Sequence, residues 1–194
     1  MKKQITTIFF VFYIVLAFGQ SPKNSIRNIG INYFGELGFR PGVEIDLGFS
    51  VWEKEKEKQR IIRNQLSFRP SLAFYHYSHY SNNVLLSMKL NYQVRFINKK
   101  TRKYLFIEPF LRIGYLRYFL AGDVFETQNS GFKEVRFRGS NSVIFGGAFD
   151  MGGYISKRFD WIFGFDYFAE STEDKLMLHR FAAKLGTRIK LNAK

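Results

Sequence analysis

The chain has 194 residues, of which 46% are hydrophobic, 19% are aromatic and 24% are charged, with a formal net charge of +14 and no cysteine. This composition fits one folded domain and excludes wholesale disorder, and the lack of cysteine excludes a disulfide scaffold or a thiolate metal site. The positive charge would indicate nucleic-acid binding only if the bases formed a patch or groove.

Residues 1–19 have the three parts of a secretory signal peptide. They begin MKK, continue as an apolar run to Phe18 and end with the small residues of the pattern Ala17-x-Gly19. The apolar run is short for a membrane-spanning helix, so a cleaved signal is favoured over an uncleaved anchor. We therefore expect export and one domain at 20–194. This domain has 28 bases against 16 acids, a net charge of +12, and an exported protein meets no nucleic acid.

The rest of the chain alternates apolar and polar residues with a period of two, as β-strands with two unlike faces do. Val43, Ile45 and Leu47, for example, alternate with Glu44 and Asp46. No convincing helical repeat interrupts this pattern. It predicts eight strands, at residues 28–34, 43–52, 64–77, 84–97, 104–119, 143–155, 161–170 and 176–191.

Eight strands of about this length have the dimensions of a small transmembrane barrel. We therefore predict an all-β fold, an eight-stranded antiparallel up-and-down transmembrane β-barrel. With a periplasmic N-terminus, the inner turns fall at 53–63, 98–103 and 156–160, and the outer loops at 35–42, 78–83, 120–142 and 171–175. Bases exceed acids by seven in the inner turns, whereas acids exceed bases by one in the outer loops. The positive charge therefore falls mainly on the periplasmic rim, where it can meet anionic phospholipid headgroups.

Two of these connections have patterns of their own. The inner turn 53–63 begins EKEKEK and is unusually long, and we expect a solvated turn there rather than a short helix. In the outer loop 120–142, residues 132–138 alternate bases with other residues. We expect them to continue a hairpin above the membrane rather than to bind an anionic partner.

The charged residues within the strands indicate which face points outward. Of fifteen such residues, fourteen share the polar face, and Arg117 is the exception. Six acids and eight bases nearly balance there, as a packed lumen requires, because an unpaired buried charge is costly. The fourteen are Lys190 and the thirteen residues of the predicted lumen charge network, namely Glu44, Asp46, Arg69, Lys89, Arg95, Glu108, Arg112, Asp150, Asp166, Glu170, Arg180, Lys184 and Arg188. A soluble barrel with its apolar face around a ligand stays open as an alternative.

Three stretches of the sequence resemble small OmpA/OmpX-like outer-membrane barrels, in particular those common in Bacteroidota. They are GFRPGVEI at 38–45, EKEKEK at 53–58 and FLRIGYLR at 110–117. The resemblance covers the chain after the signal and rests more on pattern than on motif. The chain ends KLNAK, whereas many proteobacterial barrels end on an aromatic residue. The resemblance implies a monomer in the outer membrane, in contact with outer-membrane lipids, lipopolysaccharide and the outer-membrane assembly machinery, with no cofactor.

One short string points to catalysis instead. The residues HYSN at 79–82 resemble the His-x-Ser-Asn element of outer-membrane lipid A deacylases. This resemblance implies that His79 acts as the base and Ser81 as the nucleophile. No carboxylate lies between Glu57 and Glu108, however, so the orienting acid is missing where the family's spacing would place it. The alternative interpretation is a Ser/Asn turn.

His76 and His79 fall near the outer end of the third predicted strand and His179 near that of the eighth, and two other strands separate these, so we expect no shared metal site. The sequence therefore favours an outer-membrane barrel with a side-chain-filled lumen and a structural or surface-interaction role through its outer loops, chiefly 120–142. A lipid A deacylase using His79 and Ser81 is the first alternative. A soluble lipocalin-like carrier is the second.

Overall fold

The chain folds as an antiparallel β-structure in which each barrel strand pairs with the barrel strands before and after it along the chain. This computed structural model describes residues 26–36, 40–57, 61–77, 81–120, 125–128, 131–134, 139–171 and 177–191. The predicted signal peptide at 1–19 lies outside the described residues. Nowhere in these ranges is there a helix of the length and hydropathy needed to cross a membrane.

Ten strands form within the described ranges. They are β1 (Ile26–Glu36), β2 (Gly42–Glu57), β3 (Ile61–Tyr77), β4 (Ser81–Ile97), β5 (Tyr104–Leu120), β6 (Phe125–Gln128), β7 (Gly131–Glu134), β8 (Asn141–Tyr154), β9 (Phe159–Ser171) and β10 (Met177–Lys190). All except β6 and β7 belong to one closed barrel with the order β1-β10-β9-β8-β5-β4-β3-β2. The first and last strands close the ring, from the pair Asn28 and Lys190 to the pair Glu36 and Ala182. The prediction of an eight-stranded up-and-down antiparallel barrel is confirmed.

The β2–β3 hairpin is longer than predicted. Residues 53–57 are not a turn but the end of β2, and they pair with β3 from Glu53 opposite Gln65 to Glu57 opposite Ile61. The register shifts between Ser50 and Trp52, and the whole segment from there to Glu57 is exposed. The prediction of a turn is therefore wrong for 53–57 and 61–63, although 53–57 are exposed as expected, and 58–60 lie outside the described residues. Alternating charges are compatible with a strand where both of its faces meet water.

A second hairpin lies in the long connection between β5 and β8. Strands β6 and β7 pair only with each other, from Phe125 opposite Glu134 to Gln128 opposite Gly131. They form a separate two-stranded sheet and do not continue the barrel wall. Residues 132–134, which we expected to continue a hairpin of the barrel, belong to this sheet, and 135–138 lie outside the described residues. We call the barrel end that carries this connection the outer end, and the opposite end the inner end.

Apolar side chains point outward around the barrel, and charged side chains point into its lumen. Leu111 and Ile113 on β5 are 69% and 61% exposed, whereas Arg112 between them is 2% exposed. Arg117, the one charge predicted on the apolar face, donates a hydrogen bond to Asn141 Oδ1 (2.6 Å) near the outer end. This orientation is the reverse of the one that a soluble carrier of apolar ligands requires.

Candidate functional site: the lumen and its two mouths

The outer mouth of the barrel is a cavity of about 510 Å³ whose charges are paired. Arg180 bonds to Glu36 (2.5 Å) and to Glu170 (2.7 Å), and Arg40 bonds to Glu36 (2.9 Å). Glu170 also accepts a hydrogen bond from the Tyr118 hydroxyl. Each base of this cavity therefore has a carboxylate beside it.

An apolar layer lies below this cavity and was not predicted. Its buried side chains come from seven of the eight barrel strands and are Phe34, Ala73, Tyr75, Leu85, Leu116, Ile144, Phe168 and Ala182. Tyr118 of the outer mouth packs against the layer, and the guanidinium of Arg112 lies 5.6 Å from the ring centre of Phe34. The layer thus separates the outer cavity from the charged interior.

The centre of the lumen holds four buried ion pairs, three of which share members. Glu44 lies 2.5 Å from both Lys89 and Arg112, and Arg112 also lies 2.6 Å from Asp166. Lys184 lies 2.6 Å from Asp150. Each pair joins two strands that share no backbone hydrogen bonds. The strands so joined are β2 with β4, β2 with β5, β5 with β9, and β8 with β10.

A second group of pairs lies on the inner side of the first. Arg69 binds Asp46 (2.5 Å) and lies 3.8 Å from Glu108, which also binds Arg188 (2.8 Å). Asn91 (2.7 Å) and Gln93 (2.6 Å) donate hydrogen bonds to Glu108 as well. The lumen at this level is filled by side chains whose opposite charges are paired.

Twelve of the thirteen residues of the predicted lumen charge network form ion pairs with one another in the structure. The exception is Arg95. Sequence reasoning missed two carboxylates, Glu36 and Asp160, because they were assigned to connections rather than to strands. Each continues the inward-facing period of its strand, Glu36 after Phe34 and Asp160 before Ile162. Extending the alternation by two residues would have found both.

The inner mouth is a cavity of about 410 Å³. Lys190 lies 3.0 Å from Asp160, and the Tyr104 hydroxyl donates a hydrogen bond to Asp160 at 2.6 Å. Arg95 stacks on Tyr104, with 4.4 Å between its guanidinium carbon and the ring centre. Arg63 lies at the side of the cavity, held by glutamates of β2.

Of the two residues predicted as a catalytic pair, the structure locates one. Ser81 is the first residue of β4, is buried and lines the outer cavity. His79 lies outside the described residues. The other two histidines are exposed, with His76 bonded to Asn82 (2.8 Å) and His179 bonded to Tyr167 (2.6 Å). Across the described ranges, no three His, Asp or Glu side chains are grouped so that they could hold a metal ion.

Comparison with known proteins identifies a fold. No family profile and no curated protein matches the chain. The crystal structure of the outer membrane enzyme PagL matches with a TM-score of 0.56 and 11% sequence identity, covering 84% of this chain and 99% of that chain. The chain has the fold of a small eight-stranded outer-membrane barrel.

Two further structures match over similar spans. The N-terminal barrel domain of Pseudomonas aeruginosa OprF has a TM-score of 0.41 and 12% identity, covering 84% of this chain and 97% of that chain. Neisserial surface protein A has a TM-score of 0.45 and 12% identity, covering 84% of this chain and 94% of that chain. At these identities the likeness concerns the fold alone.

Proposed function

We propose that this protein is an exported, integral outer-membrane barrel, that its lumen is sealed by side chains, and that it acts structurally or through surface contacts made by its outer segments, chiefly 120–142. The observation that carries the proposal is the reversal of polarity across the wall, with apolar side chains outside and ion pairs inside. A barrel with this polarity is stable in lipid and not in water.

The outer surface supports residence in a bilayer. Soluble monomers rarely expose a contiguous apolar patch of more than a few hundred Å². Here exposed apolar side chains occur on every barrel strand, for example Val43, Leu72, Leu90, Ile107 and Leu185. The closed ring also pairs the backbone of each barrel strand on both sides, as a spanning segment needs where no water is present.

The filled lumen supports a structural rather than a conducting role. The apolar layer and the two groups of ion pairs lie one below the other, so a solute would have to displace packed side chains at each level. Moving a charge through the apolar layer would also cost several kcal/mol because none of the side chains that form it is charged. We therefore expect no steady ion conductance across a planar bilayer.

The connection between β5 and β8 supports a role at the surface. It is the longest connection between barrel strands and carries a two-stranded sheet of its own. Segments held on a rigid scaffold are where small barrels most often carry function. In this proposal the wall contacts lipid and lipopolysaccharide, and the assembly machinery inserts the chain as a monomer.

Three measurements test this proposal together. We expect the protein in the outer-membrane fraction, faster gel migration before boiling than after it, and cleavage by trypsin on intact cells after Lys133, Arg136 or Arg138. Replacing 121–138 by a short Gly/Ser linker should keep the first two properties and abolish cell-surface contacts such as autoaggregation or adhesion. A freely soluble periplasmic protein, or a 121–138 segment cleaved only after the cells are broken, would contradict it.

A further inference from the structure

The inner-mouth cavity has a strong excess of positive charge. Five bases and one acid line it, namely Arg27, Arg63, Arg95, Lys157, Lys190 and Glu53. The cavity of about 410 Å³ lies within the size range of small-molecule sites. It also opens at the barrel end rather than on the lipid-facing wall, since lumen-facing Gln65 and Arg95 contribute to its lining.

Two of the five bases are neutralised by neighbouring acids. Arg63 lies 3.2 Å from Glu53 and 2.6 Å from Glu55. Lys190 lies 3.0 Å from Asp160. These two bases therefore contribute little net charge to the cavity.

The other three bases have no such partner. Arg27, Arg95 and Lys157 form no ion pair with any residue in the described part of the chain. Asp160, the carboxylate that attracts Arg95, is already bound by Lys190 and by the hydroxyl of Tyr104, and Glu108 is bound by Arg188. Within the described ranges, three bases therefore line one cavity without an ion-pair partner.

Arg95 is held in position in spite of lacking an acid. Its guanidinium stacks on Tyr104 at 4.4 Å, and one of its terminal nitrogens donates a hydrogen bond to Gln93 Oε1 at 2.8 Å. Its Nε is buried and has no hydrogen-bond partner. A buried donor without a partner is unfavourable, and an acceptor bound there would remove this cost. The side chain is thus oriented in advance for an anion.

We infer that the inner-mouth cavity binds a multivalent phosphate-bearing anion. Arginine presents a fixed fork of donors that matches the oxygens of phosphate, and charges in a half-enclosed cavity attract anions more strongly than charges on an open surface. The outer cavity provides the contrast, because it has a similar size but Arg40 and Arg180 there are already bound to glutamates. The phosphate could belong to a soluble compound or to a phospholipid headgroup at the rim.

Titration of the purified full-length protein with inorganic pyrophosphate, in an uncharged detergent, tests the inference by calorimetry. We expect saturable binding at one site. Arg95→Gln should weaken this binding about tenfold or more, since a charge-assisted hydrogen bond is lost. Lys157→Gln should weaken it as well and serves if Arg95→Gln does not fold. Lys100→Gln is the matched control, because Lys100 is an exposed base of the nearby 98–103 turn that does not line the cavity.

Repeating the titration in nanodiscs distinguishes the two sources of phosphate. Equal pyrophosphate affinity in detergent and in phosphatidylglycerol nanodiscs would support a soluble ligand. A weaker apparent affinity for pyrophosphate in the nanodiscs than in detergent would support a lipid headgroup that competes for the cavity. The inference is overturned if pyrophosphate does not bind saturably in detergent, or if Lys100→Gln weakens binding as much as Arg95→Gln and Lys157→Gln. These outcomes do not depend on the proposed function, because the detergent experiment measures binding whether or not the protein resides in the outer membrane.

Discussion

Glu44 on β2 and Arg112 on β5 are separated by two strands of the barrel wall, yet their side chains meet inside the lumen at 2.5 Å. Both side chains are fully buried. Arg112 also binds Asp166 on β9, so one guanidinium links three separate strands. The lumen network therefore acts as an internal brace across the ring, in addition to the backbone hydrogen bonds around it.

Removing this brace should cost much more than removing an exposed pair. Arg112→Met leaves Glu44 and Asp166 buried without their shared partner, and we expect a loss of about 3–5 kcal/mol in the free energy of unfolding. Arg63→Met breaks a partly exposed pair with Glu55 and should cost about 0–1 kcal/mol. Urea titration in lipid vesicles measures both values. Equal costs would mean that the lumen pairs do not stabilise the barrel.

The position of the apolar belt predicts a depth dependence. Leu111, near the middle of β5, is 69% exposed, and Leu111→Arg should destabilise the barrel in bilayers by about 2–4 kcal/mol. Leu191 lies just after β10 at the inner end, and Leu191→Arg should cost about 0–1 kcal/mol. The same urea titration compares the two variants. A larger cost at Leu191 would contradict a membrane centred on the middle of the strands.

Gly164 should be intolerant of even one added carbon. It lies on β9 between Lys184 on β10 and Asp150 on β8, and the ion pair of those residues passes over it. A Cβ at this position would collide with the Asp150 carboxylate. We expect Gly164→Ala to destabilise the barrel by about 1–3 kcal/mol.

A double-mutant cycle checks the cause of this effect. In an Asp150→Ala background the carboxylate is absent, so Gly164→Ala should cost much less than it does in the wild-type chain. An unchanged cost would mean that the backbone of β8, and not the ion pair, demands the glycine.

The deacylase alternative makes a separate prediction about lipid A. Because Ser81 is buried in a cavity inside the barrel rather than on the lipid-facing wall, we expect mass spectra of lipid A to be unchanged when the protein is overproduced. Loss of an acyl chain with the wild-type protein, absent in both Ser81→Ala and His79→Ala but retained in Ser142→Ala, would establish the enzyme instead. Ser142 is the control because it is another buried serine near the outer end, bonded to Glu170.

The alternation of residue types predicted the strands and the face on which each charge lies, because a period of two is a local property of an extended chain. It could not predict which charges meet. That Glu44 finds Arg112 and Lys89 depends on the heights at which β2, β4 and β5 are aligned, and those heights follow from backbone register around the closed ring. For the same reason, the sequence could not show that Arg95, alone among the thirteen residues of the lumen charge network, forms no ion pair with a described residue.

The apolar layer was missed for a different reason. Phe106, Phe110 and Leu116 share the parity of Arg112 and interrupt the polar face of β5. In the structure all three are buried inside the barrel, and Leu116 belongs to the apolar layer. A strand of a small barrel has two apolar faces wherever apolar side chains close the lumen. Periodicity alone does not distinguish an apolar residue in contact with lipid from one that fills the lumen.

The strand that closes the ring, β10, also supplies cations to buried carboxylates on other strands. This strand carries Arg180, Lys184, Arg188 and Lys190, which bind acids on β1, β5, β8 and β9. A chain that lacks its final fourteen-residue strand would therefore enclose those carboxylates with no cation beside several of them. Among the described residues, Asp150, Asp160 and Glu170 are paired with bases only through β10, so the strand that closes the ring also removes the penalty for burying these acids.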